Sequence, residues 1–93
     1  MNKSEFVQEL SSRTGLTKAD SASVVDSLFD PDAGIISRQL QNGSKVQITG
    51  FGTFEPRHRK ARKGRNPQTG ETIQIAASVN PAFRAGKGLK EAL

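Results

Sequence analysis

The sequence of 93 residues contains no cysteine, no tryptophan and no tyrosine, and its one histidine is His58. Without cysteine the chain can form neither a disulfide nor a cysteine-ligated zinc site, and one histidine alone cannot build a metal cluster. No apolar run reaches the length needed to span a membrane. Residues 1–6, MNKSEF, lack the apolar stretch of a signal peptide, so we expect a soluble cytoplasmic protein.

Apolar residues are also scarce, at 33% of the chain. Small domains bury a modest share of their surface and often depend on disulfides, metals or a second subunit. Because the cysteine-based options are excluded, the composition predicts an oligomer. The sequence contains no discernible Ser/His/Asp or paired-carboxylate arrangement, so we expect no enzyme activity, no cofactor and no metal.

Basic charge is abundant and unevenly distributed. The net charge is +5 and the isoelectric point is about 10.1. Residues 1–56 contain five Lys/Arg and seven Asp/Glu, a net charge of −2, whereas residues 57–93 contain nine and two, a net charge of +7. A strongly basic half predicts a polyanionic partner.

Two amphipathic helices are predicted in the first 29 residues. Capping boxes beginning at Asn2 and Thr17 mark their first turns, and Gly15 ends the first helix. Apolar residues recur at helical spacing on one face of each helix: Phe6, Val7 and Leu10 in the first, then Ala22, Val25, Leu28 and Phe29 in the second.

The segment FDPDAG, residues 29–34, predicts an interruption of the helical pattern. Pro31 would remove a hydrogen bond inside a helix, but it fits the first position of a new helix that Asp30 caps. We therefore expect a break and then a new helix that continues to Leu40 and ends at Asn42-Gly43.

From Ser44 the pattern alternates with a period of two, which is typical of strands. A tight turn at residues 50–52 joins the first strand to a second that continues into PRHRKARK. The turn GRNPQTG, residues 64–70, leads to a return strand, ETIQIAASV. Pro81 closes the resulting long hairpin, and residues 82–93 are predicted as a short C-terminal helix anchored by Phe83. The predicted fold class is α+β.

The hairpin carries a dense set of cations: Arg57, Arg59, Lys60, Arg62, Lys63 and Arg65. Arginine pairs with phosphate through two parallel hydrogen bonds, and a two-stranded ribbon fits a nucleic-acid groove. Pro67 lies at the predicted tip. From the residues alone it is either a wedge that enters a base step from the minor groove or simply part of a turn.

Four motifs resemble the HU/integration host factor family of bacterial histone-like DNA-bending proteins: MNKSE at 1–5, GFGTFE at 50–55, ARKGRNPQTGETI at 61–73 and FRAGKGLK at 83–90. The resemblance covers nearly the whole chain. It implies an intertwined homodimer or heterodimer with a helical base (1–43), a sheet extended into a DNA-binding arm (44–81) and a C-terminal helix (82–93). It further implies nucleoid association and bending of double-stranded DNA with little sequence specificity.

The resemblance also implies the residues that contact DNA. The arm positions are Arg57, Arg59, Lys60, Arg62, Lys63 and Arg65, and the tip positions are Asn66, Pro67 and Gln68, with Pro67 as the wedge. Lys3, Arg84, Lys87 and Lys90 fall near the saddle and flank contacts.

Three features depart from the family pattern. The DPDAG segment adds about one helical turn. Asn80 stands where an apolar residue is usual. Gly88 replaces a better helix former, which predicts a weakened last helix.

Three hypotheses for function follow. The first is an architectural DNA-binding dimer, with sequence-preferring binding of the integration host factor type left open. The second is an RNA-binding or ribosome-associated protein, but RNA readers commonly stack bases on large aromatic rings, and residues 56–82 contain no Phe, Tyr or Trp. The third is a basic module that binds acidic proteins, for which the proline-tipped ribbon has no purpose.

Overall fold

Four helices and five strands form in the computed structural model, which describes residues 1–93. In chain order they are α1 Lys3–Thr14, α2 Lys18–Phe29, α3 Ile35–Gln41, β1 Val46–Ile48, β2 Gly52–Arg59, β3 Arg62–Arg65, β4 Thr72–Ile75, β5 Ser78–Ala85 and α4 Lys87–Glu91. The chain divides into two units, Met1–Asn42 with the first three helices and Gly43–Leu93 with the strands and α4. The mixed α+β class predicted from the sequence is confirmed.

Side-chain caps fix the ends of α1 and α2, as the sequence predicts. The Asn2 carboxamide oxygen accepts from the Glu5 N–H at 2.9 Å. The Thr17 hydroxyl accepts from the Asp20 N–H at 3.1 Å. Gly15 ends α1 with a φ of 76°, in the left-handed region that glycine tolerates best. Both helices therefore begin where side-chain hydrogen bonds satisfy their first N–H groups.

The interruption predicted after Phe29 is present, but the next helix starts later than expected. The Asp30 carboxylate accepts from the N–H groups of Ala33 at 2.7 Å and Asp32 at 3.1 Å, so Asp30 does act as a cap. The capped segment is only a turn. Gly34 is extended, with φ −65° and ψ 157°, and α3 begins after it. The prediction that the new helix starts at Pro31 is therefore wrong, because the extended backbone at Gly34 interrupts it.

Three strands form an antiparallel sheet in the order β1-β2-β5, and β3 pairs with β4 in a separate two-stranded ribbon. β1 and β2 are joined by a tight turn in which Gly50 has a φ of 85°. β2 pairs with β5 along its whole length, from Gly52↔Ala85 to Arg59↔Ser78. The long hairpin predicted from the sequence therefore consists of this paired base and the β3–β4 ribbon beyond it.

Two prolines face each other in the sheet, Pro56 in β2 and Pro81 in β5. Neither residue has a backbone N–H, so this pair exchanges no hydrogen bonds. β1 pairs with β2 only from Gly52 to Phe54, which leaves one edge of β2 free at Pro56. The sheet therefore accommodates both prolines at a position where no donor is needed.

The C-terminal helix is shorter than predicted. Residues 82–85 belong to β5, and α4 covers only Lys87–Glu91. Phe83 does act as an anchor, but from a strand: its ring stacks on Phe51 and Phe54 with centroid distances of 5.6 and 4.9 Å. Pro81 lies inside β5 rather than closing the hairpin. Pairing with β2 overrides the helical pattern that the local sequence suggests.

Most large apolar side chains of the chain are only partly buried. Val25 is the one buried hydrophobic residue, whereas the Phe6, Phe29, Phe51 and Phe83 side chains remain 42–48% exposed. The phenylalanines do contact one another, and Phe6 meets Phe29 edge to face at 6.1 Å. Within a single chain the phenylalanines therefore make contacts but remain partly exposed. No helix is both long and apolar enough to cross a membrane.

Candidate nucleic-acid interface

The arm, which we define as residues 57–80, presents its cations to solvent. Arg57 and Arg59 lie at the end of β2, Lys60 follows in the break between strands, and β3 supplies the other three predicted cations. All six side chains are exposed. Only Arg57 among them forms an ion pair. The charge of the arm is therefore largely uncompensated by the protein.

Alternation of side chains divides the β3–β4 ribbon into two faces. The paired positions are Arg62↔Ile75, Lys63↔Gln74, Gly64↔Ile73 and Arg65↔Thr72. One face is thus wholly polar and carries Lys63 and Arg65, and the other combines Arg62 with two isoleucines. Ile75 lies over Gly64, where an added Cβ would be 3.0 Å from the Ile75 Cδ1 atom. The ribbon therefore has a cationic face and a mixed face.

The tip is a closed turn that carries Pro67 at its apex. The Asn66 N–H donates to the Glu71 carbonyl at 2.8 Å, and the Gly70 N–H donates to the Asn66 carbonyl at 2.7 Å. The Asn66 side-chain oxygen also accepts from the Gln68 N–H at 2.9 Å. Gly70 completes the turn with a φ of 73°. Asn66 is thus occupied in shaping the turn, while the Pro67 ring is exposed.

A charged group that we call the shoulder cluster lies where the arm leaves the sheet; it comprises Lys45, Glu55, Arg57 and Arg84. The Glu55 carboxylate is buried, with 8% of the side chain exposed. It accepts from the Arg84 guanidinium at 2.9 Å. Arg57 and Lys45 each place a nitrogen 3.7 Å from a Glu55 oxygen. Two of the predicted DNA contacts, Arg57 and Arg84, thus share one carboxylate.

The remaining predicted cations occupy helices. In the helical unit, Lys3 forms an ion pair with Asp26 at 2.7 Å, and this hydrogen bond raises the pKa of Lys3 above its ordinary value. In α4, Lys87 lies 3.8 Å from the Glu91 carboxylate. Lys90 is exposed in the same helix. Lys3 therefore belongs to a different unit from the other predicted site residues.

Sequence reasoning did not select Lys45 or Glu55. Glu55 precedes the basic run, and strand alternation puts it on the same face as Arg57, which is a signal the sequence does contain. Lys45 has no such signal, because only the pairing of β1 with β2 brings it near Glu55. The single histidine, His58, is exposed in β2 opposite Val79.

These features define a class of protein. An arginine-rich antiparallel ribbon is of a size to enter a nucleic-acid groove, and guanidinium groups bind backbone phosphates without reading sequence. An exposed, conformationally fixed proline at the tip can intercalate between bases, as minor-groove benders do. The chain has the construction of a groove-binding nucleic-acid protein.

Comparison with known proteins identifies the family. The model of the family described as "Bacterial DNA-binding protein" matches residues 1–93. The chain is 52% identical to DNA-binding protein HU-1 of Halalkalibacterium halodurans over 93 residues, which cover 100% of this chain and 99% of that protein. It is 52% identical to DNA-binding protein HU of Lactococcus lactis over 92 residues, 99% of this chain and 97% of that protein. The chain therefore belongs to the bacterial DNA-binding protein family.

Solved structures agree with this assignment. A cocrystal structure of Anabaena HU with DNA superposes with a TM-score of 0.84 at 40% identity, covering 99% of this chain and 96% of that one. HU from Thermotoga maritima gives a TM-score of 0.65 at 29% identity, with coverages of 99% and 97%. The chain thus has the fold of HU proteins, as the sequence predicts.

Proposed function

We propose that this chain is an architectural protein of the bacterial nucleoid that binds double-stranded DNA with little sequence specificity and bends it. The observation that carries the proposal is the arm, because five of its six cations have no acidic partner and its tip exposes Pro67. Relatives at about half identity are DNA-binding HU proteins, and one HU structure contains DNA. The family consists of DNA-binding proteins, so the chain is not an enzyme.

The arm contributes in two separate ways, to the affinity for DNA and to its bending. Its cations neutralise phosphates and release counterions, which gives affinity that is independent of sequence and falls with salt. The Pro67 ring supplies the bend, since inserting it into a base step unstacks the bases at a cost of a few kcal/mol and kinks the duplex. The bend then brings flanking phosphates towards other cations of the protein.

The contacts with DNA follow from this arrangement. We assign to the interface the cations of the arm and the flanks, together with three uncharged residues of the tip: Lys3, Arg57, Arg59, Lys60, Arg62, Lys63, Arg65, Asn66, Pro67, Gln68, Arg84, Lys87 and Lys90. Asn66 acts mainly by shaping the tip, because both its side-chain oxygen and its carbonyl accept hydrogen bonds within the turn. All of these residues belong to one DNA-binding domain, residues 1–93.

A second copy of the chain, or a paralogue, completes the protein. Support comes from the exposed apolar surface of each unit taken separately. In the helical unit the exposed side chains of Phe6, Phe29 and Pro31 line an apolar groove, which the buried Val25 also borders. In the strand unit Phe51 and Phe83 are 47% and 42% exposed. Side chains of this size gain free energy when a second subunit covers them, so the active form is a dimer.

DNA is preferred over RNA as the partner because no Phe, Tyr or Trp side chain lies on the arm to stack against an unpaired base. A fluorescence bend assay tests the proposal with an intact DNA duplex and a nicked one, and a folded RNA with unpaired loop bases serves as the competitor. We expect both DNA duplexes to be bound and bent, and the nicked one to bind more tightly. Tighter binding of the RNA, or binding to DNA without a bend, would contradict the proposed function.

A further inference from the structure

We propose that Glu55 is a positioning residue for DNA binding, which organises the three cations of the shoulder cluster into one phosphate-binding site. The proposal rests on the DNA binding proposed above. It adds Lys45 to the contacts and gives an acidic residue a positive role in binding a polyanion.

The geometry of the carboxylate supports this role. Glu55 is buried, and its two oxygens are divided among the cations. Oε1 lies 2.9 Å from Arg84 and 3.7 Å from Arg57, while Oε2 lies 3.7 Å from Lys45. A buried carboxylate that loses its partners is strongly unfavourable, so Arg84 is held by its hydrogen bond to Glu55, and the charge attracts Arg57 and Lys45 towards the same carboxylate.

The cations nevertheless remain available to a ligand. Their side chains are 60–67% exposed, although the carboxylate between them is not. Arg84 has five N–H donors and uses one nitrogen on Glu55, so other donors face solvent. Three cations and one carboxylate leave the cluster with an excess of two positive charges. A site that is already ordered loses less conformational entropy when it binds a phosphate.

A simple structural ion-pair network makes a different prediction. If Glu55 only stabilised the sheet, its replacement would lower the melting temperature, but the folded protein would bind DNA more tightly because one negative charge is removed. If Glu55 positions the cations, the folded protein binds DNA more weakly in spite of that favourable change in charge. The sign of the change in affinity therefore separates the two roles.

The experiment compares Glu55→Gln with Glu71→Gln, which makes the same change of charge on a residue of the arm that forms no ion pair. Affinity for an intact duplex is measured over a range of salt concentrations, at a temperature where melting curves show each protein folded. We expect E71Q to bind the duplex more tightly. We expect E55Q to bind roughly three- to tenfold more weakly, with a shallower dependence of log K on log salt.

A second pair of variants tests the site without altering Glu55. Lys45→Met removes a cation of the cluster, whereas Arg38→Met removes one from α3 whose side chain forms no ion pair. We expect only K45M to reduce the slope of log K against log salt concentration (the salt slope), by about 0.9 for each phosphate that is no longer neutralised. This comparison remains decisive if E55Q does not fold.

The proposed function and the role of the shoulder cluster are contradicted by different results. If the unsubstituted chain does not bind duplex DNA, the proposed function is wrong. If that chain binds but E55Q binds as tightly as E71Q, or K45M has the same salt slope as R38M, the role of the shoulder cluster is wrong while the proposed function stands.

Discussion

Gly88 in α4 lies against the carbonyl oxygen of Gly50, so closely that a Cβ atom on Gly88 would come within 2.7 Å of that oxygen. The same oxygen accepts a hydrogen bond from the Leu89 N–H at 3.0 Å. The first turn of α4 is thus fastened to the β1–β2 turn. Gly88 allows that approach, so packing requires a glycine at this position. The sequence alone indicated only that Gly88 weakens the helix.

Gly88→Ala should therefore destabilise the protein, against the trend for glycine in helices. Helix propensity alone favours alanine by about 1 kcal/mol. The added methyl group must displace the Gly50 backbone, and overpacking of this kind typically costs about 1–3 kcal/mol. Thermal unfolding should give a lower melting temperature for G88A than for the parent protein. A higher melting temperature for G88A would show that the β1–β2 turn moves aside at little cost.

Asp30→Ala should lower the melting temperature by a few degrees, because the carboxylate caps two backbone N–H groups. Asp32→Ala is the matched control, since it removes the same charge two residues away and the Asp32 carboxylate accepts no hydrogen bond. DNA affinity should hardly change in either variant. Equal melting temperatures for D30A and D32A would show that the cap contributes nothing.

The same cap should make stability depend on pH. Hydrogen bonds from the N–H groups of Ala33 and Asp32 lower the pKa of Asp30 below 3.8. A carboxyl group whose pKa is lower in the folded state contributes stability above its unfolded pKa and loses it as pH falls through the folded value. The free energy of unfolding of the parent protein should thus exceed that of an Asp30→Asn variant by a constant amount at neutral pH. This difference should shrink below about pH 4, as denaturant unfolding at several pH values would show.

The chain should be a dimer in solution. Light scattering at micromolar concentration should give twice the chain mass of 10.0 kDa. The physical reason is the exposed apolar surface, including Phe29 at 48% and Phe51 at 47%. Phe29→Ser should shift the equilibrium towards monomer and unfolded chain. A folded monomer of the unsubstituted protein at this concentration would contradict the prediction.

Replacing Arg59, Arg62 and Arg65 with alanine should weaken binding to all duplexes alike. The slope of log K against log salt should flatten by about 0.9 for each phosphate that is no longer neutralised, because fewer counterions are released. The charge-matched control replaces three cations of the helices, Arg13, Lys18 and Arg38, and should leave most of the slope intact. If the arm variant bound one sequence more weakly and all others normally, the arm would be reading bases.

Pro67→Ala should reduce both the bend and the affinity for intact duplex. The substitution removes most of the ring and keeps every charge of the arm. Nicked or gapped DNA has already lost stacking at the break, so its affinity should fall less. The variant should therefore prefer distorted over intact DNA more strongly than the parent does, when both affinities are measured at one salt concentration.

A control for this variant is Gln68→Ala, since Gln68 neighbours Pro67 and only its backbone N–H takes part in the turn. Q68A should keep the bend. If P67A left both the bend and the ratio of affinities for distorted and intact DNA unchanged, Pro67 would not act as a wedge and residues 64–70 would form only a turn.

Features set by short-range interactions were predictable from the sequence. Asn2 and Thr17 cap their helices through N–H groups three residues away, and the interruption at Asp30 follows from a proline that cannot continue a helix. The arm and its cations were also predictable, because alternation and charge are visible in the chain itself. These signals need no knowledge of distant residues.

Features set by pairing across the sheet were not predictable. Residues 82–85 have a helical local pattern, but β2 recruits them as a strand. Glu55 and Arg84 are 29 residues apart and meet only because β2 and β5 pair. Gly88 likewise contacts a residue in a distant turn. In each case a long-range contact outweighs the local preference, and a single sequence does not display that contact.

Arg59 and Ser78 are paired at the end of the sheet, so residues 60–77 leave and return at neighbouring positions. The entropy of closing a loop grows slowly, by about 0.6 kcal/mol for each doubling of its length. Insertions or deletions in this segment should therefore change the free energy of the pairing from Gly52↔Ala85 to Arg59↔Ser78 only slightly. The length of the ribbon should thus be open to change by design, to suit a different groove, without rebuilding the sheet.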